Sequence, residues 1–203
     1  MTKTFPAAVA VIALAASIAG CGGEEGPPPA GKDASRAPAA PAGEVPPGVA
    51  AQYATVEEEV KAEGGETNSG PWRVAYIVEP AEGWFERRGD GFEWRPPAEG
   101  ETHHIEILPI EAETGRLVPE VPVTLEVLDA RGEQVARKRL EPYYAEFFHT
   151  AENFEIPEAG DYTLRATIEA PDLRRHGEET EEPPLAEGAE VEFERVRLEP
   201  EQG

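Results

Sequence analysis

From Trp72 onward the chain alternates apolar and polar residues with a period of two. Trp72, Val74, Tyr76 and Val78 alternate with Arg73, Ala75, Ile77 and Glu79. Val121, Val123, Leu125 and Val127 alternate with Pro122, Thr124 and Glu126, and Tyr162, Leu164, Ala166 and Ile168 with Thr163, Arg165, Thr167 and Glu169. A helix repeats its faces about every 3.6 residues and cannot sort this pattern, whereas successive side chains of a strand point to opposite faces. Each run therefore predicts a strand with one buried face. Asp129-Ala130-Arg131-Gly132 predicts a hairpin turn, with Gly132 suited to positive φ, and Gly89-Asp90-Gly91 joins two aromatic runs in another. The last strand, Val191 to Leu198, changes phase, which predicts a bulge or an edge position. Roughly seven or eight short strands and no helix after residue 64 predict an all-β fold, an antiparallel β-sandwich with a barrel as its competitor.

Ahead of Trp72 the composition is different. Lys3 and the apolar run Ala7 to Ile18 read as an export signal over residues 1–20, too short to anchor across ~30 Å of hydrocarbon. Ile18-Ala19-Gly20-Cys21 resembles the lipobox of bacterial lipoproteins, so Cys21 is expected to be lipidated and to tie the protein to a membrane outside the cytoplasm. Cys21 is the only cysteine, which excludes a disulfide within the chain and a cysteine-based metal site. Residues 21–70 read as a disordered tether, because Pro27-Pro28-Pro29, Pro46-Pro47 and many Ala and Gly leave little to bury. A short helix is predicted within it at 55–63, with Thr55 and Glu58 as a capping box and Gly64 as its stop. The folded domain is expected to span 71–199.

The formal net charge of −23 excludes DNA and RNA as partners, since phosphates repel carboxylates, and favours cations. No nucleophile motif, P-loop or dinucleotide fingerprint is present, so the chain reads as a binding protein and not an enzyme.

The four histidines are His103, His104, His149 and His176. His104 and Glu106 lie two apart on a predicted strand and share one face, with His103, Ile105 and Ile107 on the other. A neutral imidazole and a carboxylate on a rigid strand suit a metal ion, although a solvated pair on an outer face would read the same way. His149 follows an aromatic run, Tyr143 to Phe148, expected to be a loop. His176 follows Arg174-Arg175 in a loop after the Tyr162 strand and precedes an acidic run, Glu178 to Glu182. Gly160-Asp161-Tyr162 matches the tyrosine corner of immunoglobulin-like sandwiches.

Together these pieces resemble the periplasmic iron-transport proteins that accompany a bacterial iron permease. The resemblance rests on His104-Ile105-Glu106, on His149 followed three residues later by Asn153, on Ile156-Pro157-Glu158-Ala159-Gly160-Asp161-Tyr162, and on Pro171 with Arg175-His176. It covers about residues 72–198. It implies an immunoglobulin-like domain that binds copper, with iron as cargo, a permease as partner and pairing as a homodimer. The implied metal ligands are His104, Glu106, His149 and His176, a set suited to Cu(II), Fe or Zn(II). The methionine that family members place before the central histidine is absent, because the only methionine is Met1, and the corresponding stretch is Leu140-Glu141-Pro142-Tyr143-Tyr144.

The resulting expectation is a lipid-anchored, extracytoplasmic protein that captures or delivers iron or copper, with metal affinity falling as pH drops through about 6.5. Two other readings compete. One is an immunoglobulin-like surface module that binds a protein partner through its loops, and the other a hydrolase holding zinc on three histidines with Glu106 as base.

Overall fold

The computed structural model describes residues 45–179 and 182–200. The signal segment 1–20, the Cys21 lipidation site and the tether as far as residue 44 lie outside the described residues. A helix, α1 (Pro47–Glu63), leads into β1 (Gly64–Ser69), β2 (Trp72–Pro80), β3 (Trp84–Arg88), β4 (Gly91–Arg95) and β5 (His103–Glu111). The rest are β6 (Val123–Leu128), β7 (Gln134–Arg139), β8 (Glu141–Tyr144), β9 (Phe148–Phe154), β10 (Gly160–Ile168) and β11 (Ala189–Leu198). One sheet has the order β1-β2-β5-β9-β8, a second β11-β10-β6-β7, and β3 and β4 form a separate hairpin.

The two larger sheets enclose a core of Trp72, Val74, Ile105, Ile107 and Phe154 against Val123, Leu125, Val127, Leu164, Ala166 and Phe193. This is the antiparallel β-sandwich that the alternation predicts, immunoglobulin-like as Gly160-Asp161-Tyr162 implies. The Tyr162 hydroxyl donates to the Glu158 carbonyl at 2.8 Å, forming the tyrosine corner. The phase change in β11 is a bulge: Tyr162 pairs with Val196 but Leu164 with Phe193, and Arg195 takes φ 57°.

The start of the folded unit differs from the expected 71, and the helix from the expected 55–63. The helix begins at Pro47, because proline in the first turn loses no helical hydrogen bond and has its φ preset. Thr55 therefore lies mid-helix and caps nothing. Glu63 does end the helix, and the chain turns at once into β1, which pairs with β2 from Gly64↔Ile77 to Ser69↔Trp72. Gly64 permits this turn, since a Cβ there would sit 1.8 Å from the Tyr76 carbonyl oxygen.

The helix covers the outer face of the five-stranded sheet. Val56 packs on Ala75, Ile77, Leu108 and Ile110, with Phe147 in the same cluster. Ala75 and Ile77, expected to face outward, are therefore fully buried. Periodicity finds a strand with one covered face, but β2 and the central β5 are covered on both. A chain cut to start at residue 71 would expose this second apolar layer. Limited proteolysis is expected to give a stable fragment beginning near Val45, and the chain starting at 71 to aggregate or melt far earlier. No helix among the described residues is long and apolar enough to cross a membrane.

Candidate metal centre

On β5, Ile105 and Ile107 enter the sandwich core while Leu108 and Ile110 enter the layer under α1. His104 and Glu106 share the second face, as their spacing requires, and His103 points into the sandwich side. His149, expected in a loop, lies on β9 itself. The register pairs His104 with Asn153 and Glu106 with Ala151, so His149 falls on the same face, two residues beyond Ala151. Strand pairing, not a folded-over loop, brings it to the site.

His104, Glu106 and His149 each present one ligand atom, all within 4.8 Å of one another. Their exposures are only 1%, 4% and 8%. Glu106 Oε1 lies 3.5 Å from His149 Nε2 and 4.0 Å from His104 Nε2. Glu106 Oε2 and His149 Nδ1 have no hydrogen-bond partner. Two imidazoles and a carboxylate, buried together with unused polar atoms, fit a divalent transition ion at ~2 Å from each donor.

The electrostatics follow from this burial. Burial first, then the carboxylates Glu79, Glu59, Glu82 and Glu146, push Glu106 up to about 9. Burial first, then His104, push His149 down to about 4. At neutral pH Glu106 thus holds a proton, whereas His149 is neutral and free to ligate. The expected loss of capture near pH 6.5 is accordingly not set by His149.

Aromatic side chains enclose the pair of imidazoles. Tyr143, opposite His149 on β8, stacks on its ring at 5.5 Å and 7°, and meets His104 edge-on at 5.5 Å. Trp84 meets Tyr143 edge-on at 5.3 Å, and the Arg95 guanidinium lies 4.0 Å over the Trp84 ring. Above them opens a cleft of ≈ 970 Å³ between the β3–β4 hairpin and β8, with His104 and His149 among its lining residues. Arg95 also pairs with Glu101 at 2.6 Å. Burial alone would raise Glu101, but the Arg95, Ala98 and Asn153 hydrogen bonds outweigh it and hold the carboxyl at about 2.

His176 does not join the group: it is exposed, on the loop between β10 and β11. Arg175 secures that loop through the carbonyls of Pro171, Leu173, Pro184 and Leu185, and Glu187 accepts from the Trp72 indole at 2.9 Å. Among the described residues the ligand atoms that converge are those of His104, Glu106 and His149. A three-histidine zinc site is therefore not formed by the described residues of one chain. Sequence reasoning gave no role to Trp84, Tyr143, Arg95 or Glu101, and met Asn153 only as part of a pattern. The even spacing of Asn153 from His149 was the one available signal.

Residues 98–196 match the family described as Fe2+ transport protein. Among solved structures, FetP of uropathogenic Escherichia coli is similar at 20% identity and TM-score 0.51, over 68% of this chain and 96% of that one. A copper-bound variant of FetP gives 17% and 0.53, over 69% and 92%. Copper-reconstituted P19 of Campylobacter jejuni gives 19% and 0.51, over 68% and 96%. These likenesses are of fold. No curated protein matches the chain. The matched segment holds β5 to β10, most of β11 and all four histidines, and over that segment, just under half of its length, the chain matches the Fe2+ transport protein family.

Proposed function

We propose that this protein is a lipid-anchored, extracytoplasmic metal-binding protein that captures iron or copper and delivers it to a membrane iron permease. The observation that carries the reading is the buried convergence of His104, Glu106 and His149, with Glu106 Oε2 left unpartnered. The copper-bound state of FetP and P19, which share the fold, supports metal binding here. Glu59, Glu79, Glu82 and Glu146 surround Glu106 and favour the approach of a cation.

Two nitrogens and one oxygen, without sulfur, suit Cu(II), Fe(II) or Zn(II) better than Cu(I). Where family members have a methionine, this chain brings Tyr143 against both imidazoles. His176, exposed on the loop between β10 and β11 and outside the trio, would enter the coordination set from a second copy, in keeping with a homodimer. Equilibrium dialysis against Cu(II), Zn(II) and Fe(II) tests the reading. One tight site per chain is expected, and no binding above that of a His149→Ala variant would overturn it. Cys21→Ala is expected to release the protein from membranes or leave it unprocessed; unchanged membrane fractionation would refute the anchor.

A second reading has its own observation. Phe85, Phe92, Trp94 and Tyr144, 56% to 82% exposed, lie around the cleft and would suit contact with a protein. The two readings are compatible if the partner receives the metal.

A further inference from the structure

Asn153 is wholly buried beside His104, and each of its four hydrogen-bonding positions is used. Its Nδ2 donates to the Glu82 carbonyl at 2.7 Å and to Glu101 Oε2 at 2.9 Å. Its Oδ1 accepts from the Glu82 amide at 3.1 Å and lies 2.9 Å from His104 Nδ1. Three of these partners have fixed roles: a main-chain carbonyl and a carboxylate only accept, and a main-chain N–H only donates. The amide therefore has one orientation, because a flip would set its NH2 against the Glu82 N–H and its oxygen against two acceptors. With Oδ1 facing His104, the Nδ1 of that ring must carry a proton.

We infer that Asn153 is a positioning residue of the metal centre, holding His104 as its Nδ1–H tautomer so that the Nε2 lone pair faces Glu106 and His149. The geometry agrees, since Nε2 is the His104 atom 4.0 Å from Glu106. The same amide pins the main chain at Glu82, the approach to β3, and holds Glu101, which pairs with Arg95 of β4. The hairpin that walls the cleft and the ring that faces the ion thus share one anchor. This inference rests on the metal-binding reading for its purpose, but the tautomer itself is a property of the metal-free protein.

Long-range 15N NMR of the metal-free protein reads the tautomer directly. His104 is expected to show a protonated Nδ1 and an unprotonated Nε2, and a proton on Nε2 overturns the inference whatever the variants do. Asn153→Leu removes the acceptor at similar volume. It is expected to shift His104 to a mixture rich in the Nε2–H form and to weaken Cu(II) binding 10- to 100-fold, the usual cost of losing an outer-shell partner. Asn153→Asp keeps an acceptor at Oδ1, whether charged or protonated, and is expected to retain the Nδ1–H form while loosening the hairpin. A purely structural role would disturb both variants alike and leave the tautomer unmoved, which would also overturn the inference. If the wild type shows the Nδ1–H form but binds no Cu(II), the tautomer assignment stands and the metal reading fails.

Discussion

His149→Ala is expected to lower Cu(II) affinity by more than a hundredfold, and His104→Ala to do the same. Outer-shell partners of a ligand commonly cost 10- to 100-fold, so a direct ligand among three costs at least the upper figure. His103→Ala should leave affinity nearly unchanged, because its ring faces the sandwich side. His176→Ala should weaken binding only under conditions in which the protein pairs. Isothermal titration of the four variants makes the comparison, and a His149→Ala protein that binds as wild type would remove the trio from consideration. In the wild type, affinity is expected to rise with pH, close to tenfold per unit through the neutral range and levelling near 9. The reason is that Glu106 must give up its proton, retained up to about 9, before its oxygen can ligate. His149, neutral down to about 4, does not limit capture until the medium is strongly acid. A plateau from pH 6 to 9 would contradict this assignment.

Glu106→Gln should stabilise the metal-free protein while weakening its metal site. In the unfolded chain Glu106 titrates near 4.5, but in the folded protein only near 9. Between these values the folded state holds a proton that the unfolded state has lost, so stability declines as pH rises through the window. Below 4.5 both states are protonated and the penalty vanishes. At pH 7 the penalty is on the order of 3 kcal/mol, and glutamine, which never ionises, escapes it. The variant is expected to melt roughly 5–10 °C higher than wild type at pH 7 to 8, with no advantage near pH 4.5. Thermal denaturation at both pH values decides the matter; equal melting at pH 8 would mean that Glu106 is ionised in the fold. Cu(II) affinity should fall less than for His149→Ala, since both imidazoles remain, and its dependence on pH should flatten. The destabilising carboxyl is thus the same group that gives the ion its negative partner.

The strands, their inward residues and the hairpin turns were legible because strand geometry ties each side chain's direction to its neighbours two residues away. That rule placed His104 with Glu106 and set His103 against them, and the broken phase at Val196 revealed the bulge. The acidic composition and the lone Cys21 were likewise properties of the chain as written. The depth of burial was not, because it depends on what lies over the sheet. Val56 comes from before β1, Trp84 and Arg95 from a separate hairpin, and Phe147 from the turn ahead of His149. No local pattern relates them to β5. The tertiary structure therefore decided that a solvated-looking His-x-Glu is a buried pair, that His149 joins it through strand register, and that His176 stays outside the trio on an exposed loop. The physical reason is that alternation records which residues share a face, whereas the desolvation that holds a proton on Glu106 and keeps His149 neutral comes from distant segments packed upon that face.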